Sequence, residues 1–353
     1  MSELISRKNE HINLAVMGQE NNKVDLRNTT YEPMMTAHNH SQSLEVRVAG
    51  KKLSAPLWIS SMTGGTSDGM NLNAILAKAA AKAQIGFSLV SCRVLLEDKA
   101  KLNDFDFREL MGDDACLWGN LGIAQLSELV KNNNLNQLAD LVSKLRWDGL
   151  FIHVNPIQEY VQLSGDRWEE SPIKILETFL KKMEIPLIVK EVGSGMGPSS
   201  LKALCELPLV GIEFGSHGGT NFPKIEKLRR DELASPYNEL TQLGHNMEEM
   251  CAWWNALPGE DTKDKVLILS GGLRSLLKAY DLAFPLKGTK IFGQAMPYLR
   301  MAQSGVSDLD NYIHSQKEVL AFYKNYLVSS PFADEIFLFS FELVEIIDCS
   351  MFV

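Results

Sequence analysis

The stretch Val266-Leu267-Ile268-Leu269-Ser270-Gly271-Gly272-Leu273-Arg274 decides how the fold is read. A short, unbroken apolar run ends in a glycine pair, and a helical pattern follows over 273–282. The next run, 290–293, ends the same way at Gly293-Gln294-Ala295. Working outward, earlier runs share this grammar at 57–60, 86–91, 115–120, 149–154, 187–192 and 210–215. They are apolar nearly throughout rather than alternating, as parallel strands covered on both faces are. Helical patterns separate them at 71–84, at 126–145 with an interruption at 132–134, at 173–183 and at 200–207. Eight successive β–α units predict an α/β fold, a (β/α)8 TIM barrel. A doubly wound open sheet is the rival, because strand number alone does not prove closure. The barrel is favoured because polar residues follow many different strands instead of gathering at one switch point, and because glycine-rich turns end the last two units.

Three regions fall outside the eight units. Residues 1–55 form a polar N-terminal arm with a hairpin expected through 44–48 and 51–53. An insert, 223–265, carries Trp253-Trp254 within a helix-like segment, 247–257, and reads as a lid or an interface element. The tail, 306–353, carries helical patterns near 308–327 and 333–347. A barrel over 56–305 with these additions accounts for all 353 residues as one domain, although length alone leans towards two.

The chain has 35 Lys and Arg against 44 Asp and Glu, a formal net charge of −9. That balance argues against a nucleic-acid coat and against a polybasic membrane anchor. An anionic ligand remains open to it, provided positive groups gather locally. The five cysteines, Cys92, Cys116, Cys205, Cys251 and Cys349, are widely spaced without a CxxC, which fits a reducing compartment rather than a disulfide framework. The first ten residues are polar and no apolar run reaches about 18 residues, so a cytoplasmic protein without a membrane span is expected.

The stretches that carry chemistry follow the expected strands. Gly271, Gly272, Leu273 and Arg274 after one strand, and Gly293 and Gln294 after the next, permit close backbone approach and present free N–H groups. Either turn alone reads equally as a tight βα connection. Together, at the seventh and eighth positions of a barrel, they form a cup for a monophosphate. Gly218-Gly219-Thr220 follows the sixth strand and reads as a cofactor contact or as a linker into the insert. Lys190 interrupts the fifth apolar run; an unpaired buried charge is costly, so it faces either a ligand or a barrel carboxylate. His153, Asn155, Gln158 and Glu159 cluster at the end of the fourth strand, where Glu159 is a hard oxygen donor suited to Mg2+. Ser61-Met62-Thr63-Gly64-Gly65-Thr66, Ser91-Cys92-Arg93 and Trp118-Gly119-Asn120 end the first three. Arg7, Lys8 and His11 place positive charge in the arm, and composition alone makes them a solvated tail.

Taken in order, Arg7-Lys8, the 61–66 stretch, His153-Val154-Asn155-Pro156-Ile157-Gln158-Glu159, Val189-Lys190-Glu191-Val192-Gly193 and Gly218-Gly219-Thr220 resemble the type 2 isopentenyl-diphosphate delta-isomerases over nearly the whole chain. The resemblance implies a barrel that interconverts isopentenyl and dimethylallyl diphosphate with reduced FMN and Mg2+, with NADPH reducing the flavin. It implies FMN contacts from Met62, Thr63, Gly64, Ser91, Asn120, Lys190, Thr220, Gly271, Gly272, Leu273, Arg274, Gly293 and Gln294. It implies substrate contacts from Arg7, Lys8, His11, Ser91, Arg93, His153 and Asn155, with Gln158 at the alkene as the catalytic residue and Glu159 holding the metal. It also implies a homo-oligomer, a tetramer or larger, for which the Trp253-Trp254 insert offers an exposed surface. The chain departs from the family pattern at Cys92, where Gln is usual, and over Glu213-Phe214-Gly215-Ser216-His217. An FMN-dependent 2-hydroxy-acid oxidase is the alternative in the same fold. It needs a histidine base on a later strand, where His217 is the nearest, and it leaves Asn155, Gln158 and Glu159 without a role.

Overall fold

The computed structural model describes residues 10, 11, 14, 15, 17, 18, 23–38, 43–61, 67–230 and 236–331. The expected helix over 333–347, the arm residues Arg7 and Lys8, and Met62, Thr63 and Gly64 lie outside the described residues.

Twelve strands are described: β1 (Thr29–Tyr31), β2 (Val46–Val48), β3 (Lys51–Leu53), β4 (Leu57–Ile59), β5 (Gly86–Ser88), β6 (Leu117–Gly122), β7 (Gly149–His153), β8 (Leu187–Lys190), β9 (Gly211–Glu213), β10 (Val266–Leu269), β11 (Thr289–Gln294) and β12 (Leu327–Ser329). Strands β4 to β11 close into a parallel barrel in chain order, β11 pairing with β4, so the open-sheet rival is excluded. Every one of the eight apolar runs read from sequence overlaps one of these strands.

The barrel interior explains several glycines. Trp58 of β4 pairs in register with Gly86 of β5, and Trp118 of β6 with Gly149 of β7. A Cβ at Gly86 would lie inside the Trp58 ring, and one at Gly149 inside the Trp118 ring. Two indoles fit inside one eight-stranded barrel because the strand beside each has no side chain at that level. Phe151, Ile188, Ile268 and Ile291 complete this layer, and Val48 and Leu53 of the antiparallel hairpin β2–β3 close it from below. The hairpin falls where the sequence placed it. Arg108, buried, donates to Asp148 Oδ2 at 3.0 Å and to the carbonyl of Ala115 at 2.8 Å, while Lys51 of the hairpin lies 3.4 Å from Asp148.

Helices pack around the barrel. The break expected at 132–134 separates Ile123–Lys131 from Leu135–Lys144, with Asn133 in the left-handed region at φ 53°. The expected helix over 273–282 starts later, at Leu276, where the Ser275 side chain caps it by accepting from the Lys278 N–H. Gly271 to Arg274 therefore form a loop between strand and helix rather than the helix's first turn. The insert contains Met247–Ala256, opened by a capping box between Asn246 and Glu249. Its two tryptophans correct the expectation of an exposed pair: Trp254 is buried, edge-on to Phe214 at 6.5 Å, and Trp253 is half-buried against His245. The tail contributes the helix Val306–Tyr326 and then β12, which pairs antiparallel with β1. Asp281, fully buried, accepts from the backbone N–H groups of Arg27, Asn28 and Thr29 and from the Thr29 hydroxyl, anchoring the segment that leads into β1.

Candidate active site

A cavity of about 830 Å3 opens at the C-terminal end of the barrel strands. Of the residues expected from sequence, Ser91, Asn120, His153, Gln158, Lys190, Thr220, Gly271, Gly272, Leu273, Arg274, Gly293 and Gln294 line it. Ser60, Ser61, Glu191, Glu213, Arg300 and Tyr312 line it too, and none of these six was among the site residues expected from sequence. For Glu191 and Glu213 a signal existed: each is a charge in or beside an apolar strand run, the same feature that marked Lys190.

Lys190 is buried, and its Nζ donates to Ser61 Oγ at 3.1 Å. The internal ion pair considered for it is not formed among the described residues. Burial lowers its pKa, and the charges of Glu213 and Glu191 pull it back up. Glu213, on the neighbouring strand, accepts from the Ser60 hydroxyl at 2.6 Å through Oε1, while its Oε2 is buried with no partner among the described residues. Glu191 Oε2 accepts the N–H groups of Gly193, Ser194 and Gly195. Burial outweighs those bonds and pushes its carboxyl up to about 7.

Hydrogen bonding fixes the His153 tautomer. Asn120 Nδ2 donates to the Leu89 carbonyl at 3.0 Å, which only accepts, so Asn120 Oδ1 is the atom facing His153 Nδ1 at 3.0 Å. Nδ1 therefore carries the hydrogen and Nε2 the lone pair. Burial, and secondarily the Lys190 charge, lower this imidazole to about 3, which keeps it neutral near pH 7.

The glycine turns leave room by close backbone approach. A Cβ on Gly271, at φ 80°, would overlap the Ser216 backbone, and one on Gly293 would press on Ile268 and Ser60. Gln294 is held by the tail helix: its Oε1 accepts from Tyr312 at 3.1 Å and from Gln316 at 2.8 Å, and Gln316 in turn accepts from buried Tyr298.

Four expected residues lie elsewhere. Asn155 is buried behind the cavity wall; its Nδ2 donates to Gln158 Oε1 at 3.0 Å and Glu159 Oε1 at 2.9 Å, so it orients the two residues that follow. Glu159 does not line the cavity, and its Oε2 accepts from the Asp166 N–H at 2.7 Å. Arg93 is turned to Asp166 Oδ2 at 2.6 Å and to Glu97 at 3.5 Å. His11 is exposed on a short helical piece. Cys92, the departure after the second strand, is buried with its thiol pushed up to about 12, which leaves it unreactive. Of the expected positive cluster, Lys190 is in the cavity and Arg93 is not; Arg274 and Arg300 stand at the glycine-turn side.

Comparison with known proteins places this geometry. A scan of protein-family models gives no match. Solved barrels of similar fold include the flavin-binding domain of baker's yeast flavocytochrome b2, with a TM-score of 0.56 at 13% identity over 85% of this chain and 72% of that one. A mandelate oxidase with benzaldehyde gives a TM-score of 0.54 at 11% identity over 86% of each chain. At those identities the likeness is one of fold alone. Sequence relatives reach further: an isopentenyl-diphosphate delta-isomerase of Rickettsia felis is 32% identical over 312 residues, 86% of this chain and 87% of its own. One from Deinococcus radiodurans is 32% identical over 276 residues, 77% of each. With 32% identity to relatives of this name over 77–86% of its length, the chain belongs to the isopentenyl-diphosphate delta-isomerase family.

Proposed function

We propose that the protein is the flavin-dependent, type 2 form of this family and interconverts isopentenyl and dimethylallyl diphosphate. The observation that carries the reading is the convergence of Gln158, His153, Lys190 and the two glycine turns on one cavity in a chain of this family.

The residues present fit FMN. The glycine turns of β10 and β11 supply a cradle that a Cβ would fill, and Glu213 Oε2 is a buried acceptor awaiting a donor. Gly271, Gly272, Leu273, Arg274, Gly293 and Gln294 would take the phosphate end, and Lys190, Asn120, Ser91 and Thr220 the rest, together with Met62, Thr63 and Gly64. Glu213 lies on the strand between those of Lys190 and the first glycine turn, so it would face a cofactor held by both. Glu159 would be the protein's carboxylate for Mg2+, an ion commonly bound by one or two carboxylates beside substrate phosphates. Among the described residues no group of three or more potential protein ligands gathers around it.

Bound and reduced, FMN would supply an electron-rich surface able to stabilise cationic character in the substrate. The chain's own groups do the rest. Asn155 holds Gln158 Oε1, so the Gln158 amide presents a fixed edge to the substrate's alkene. Neutral His153 offers its Nε2 lone pair as an acceptor without adding positive charge. Arg93, with Arg7, Lys8 and His11, would neutralise the diphosphate.

NADPH as reductant, a cytoplasmic location and a homo-oligomer of four or more chains belong to the same proposal, as does a single domain over 1–353. Among the described residues no helix is long and apolar enough to cross a membrane. The deciding experiment mixes purified protein with FMN, NADPH, Mg2+ and isopentenyl diphosphate without oxygen and follows dimethylallyl diphosphate. Its appearance, dependent on flavin, is expected. Oxidation of 2-hydroxy acids without isomerisation would overturn the reading in favour of the oxidase alternative.

A further inference from the structure

We propose that Asp166, which lies outside the cavity, is a positioning residue that sets Arg93 for the substrate diphosphate and ties it to Glu159; this rests on the isomerase reading. Asp166 makes contacts in three directions. Its Oδ2 accepts from Arg93 Nη1 at 2.6 Å and from Gln125 Nε2 at 2.8 Å, and its own N–H donates to Glu159 Oε2 at 2.7 Å.

An ion pair in which Arg93 is half exposed would by itself contribute little. Here Asp166 is fixed at two points, its carboxylate by Gln125 and its backbone N–H by Glu159. Gln125 is a buried glutamine on the helix Ile123–Lys131, and a buried polar side chain needs a partner, which Asp166 supplies. Room for the Gln125 amide exists because Gly122 has no side chain: a Cβ there would overlap Gln125 Oε1. On the other side, a Cβ at Gly165 would overlap the Glu159 carbonyl, so only glycine lets the chain turn tightly enough to bring the Asp166 N–H onto Glu159.

The result is a guanidinium held at one end. Nη1 is bound to Asp166 and Nε is 3.5 Å from Glu97, while Nη2 has no partner among the described residues. Guanidinium groups bind phosphate oxygens through such planar, directional N–H groups, so fixing one end aims the other. Asp166 therefore acts on substrate binding through Arg93. It also sets the spacing between the diphosphate contact and Glu159, because one residue holds both.

The test uses the full-length, FMN-loaded protein. Asp166→Ala should raise KM for isopentenyl diphosphate about tenfold, the size seen when an orienting partner is removed from a ligand-binding group. The value of kcat should stay within about twofold, and FMN affinity by flavin fluorescence should match wild type. Asp166→Asn, which keeps an acceptor oxygen, should fall between the two and stands in if the alanine variant does not fold. In an Arg93→Ala background, Asp166→Ala should add less than about twofold, because the pair acts as a unit. Additive effects, a loss confined to kcat, or an unchanged KM would overturn the assignment. A wild-type protein that converts no isopentenyl diphosphate would instead overturn the isomerase reading. Calorimetry with inorganic diphosphate and Mg2+ then still reads Asp166: equal affinities of wild type and Asp166→Ala would count against it.

Discussion

Two layers of the same barrel, one residue pair apart on the same strands, are built on opposite principles. In the lower layer Trp58, Trp118, Phe151, Ile188, Ile268 and Ile291 form a dry cluster, with the Phe151 ring 5.6 Å from each of the two indoles. Two positions further along each strand stand Ser60, Asn120, His153, Lys190, Ser270 and Gly293, and each of these lines the cavity. Residues i and i+2 of a strand share a face, so the second set sits directly above the first. The lower layer keeps the strands in place by filling volume. The upper layer holds polar atoms whose partners are partly each other and partly whatever the cavity binds. A barrel thus separates stability from chemistry over a rise of about 7 Å.

The largest expected effects separate the two layers outright. Gln158→Ala should reduce isomerisation by about 100-fold or more, because the side chain at the alkene is lost. Its unfolding free energy should stay within about 1 kcal/mol of wild type, since the half-buried Gln158 packs no core. Trp118→Ala should do the reverse and cost about 3–5 kcal/mol by leaving a cavity below the site. Parallel denaturant curves and isomerase assays on the two variants decide the matter. If Trp118→Ala lost catalysis without losing stability, the layers would not be separable.

This division also explains what could be read from sequence. Parallel strands buried on both faces appear as apolar runs, so all eight were visible, and so was the helix break around Asn133. The polar upper layer was visible where a polar residue ended a run, as at Asn120, His153 and Lys190. Glu213 carried the same signal and was passed over as part of a variant loop. Trp254 was misread because an insert suggested surface. Yet Met247, Met250, Cys251 and Trp254 recur at helical spacing, and all four are buried. The grip of Tyr312 and Gln316 on Gln294, and of Asp166 on Arg93, joins residues far apart in sequence, and no local pattern announces such contacts.

Glu213→Leu sharpens the comparison by making one upper-layer position resemble the lower layer. A buried carboxylate oxygen without a partner costs stability until a ligand donates to it. The apoprotein of this variant should therefore stay within about 1 kcal/mol of wild type in thermal unfolding, although Ser60 loses its acceptor and Lys190 a nearby opposite charge. FMN affinity should fall about tenfold, the equivalent of one lost hydrogen bond to a charged group. Flavin fluorescence titration of the two apoproteins measures this. An apoprotein that lost several kcal/mol while keeping its FMN affinity would make Glu213 a structural residue of the lower kind.

The smallest effect is a slope in pH, and it belongs to the upper layer alone. His153 titrates near 3 in the folded protein and near 6.5 when free of it. Above about pH 7.5 both states hold it neutral, and its contribution is constant. As pH falls from there towards 3, the unfolded chain binds a proton that the native imidazole refuses, so stability is lost. Between pH 7.5 and 5.5 that loss should be about 1 kcal/mol. Glu191 works in the opposite sense. Its folded carboxyl is raised from 4.5 to about 7, so it favours the native state at low pH, and that contribution disappears as pH rises through 7. The two slopes partly cancel in the wild type, which makes the variant the informative measurement. His153→Gln should be steadied by acid relative to wild type over this range, because only the Glu191 slope is left. Trp118→Ala should shift the whole stability curve downward without changing its slope, since the residue it removes carries no proton.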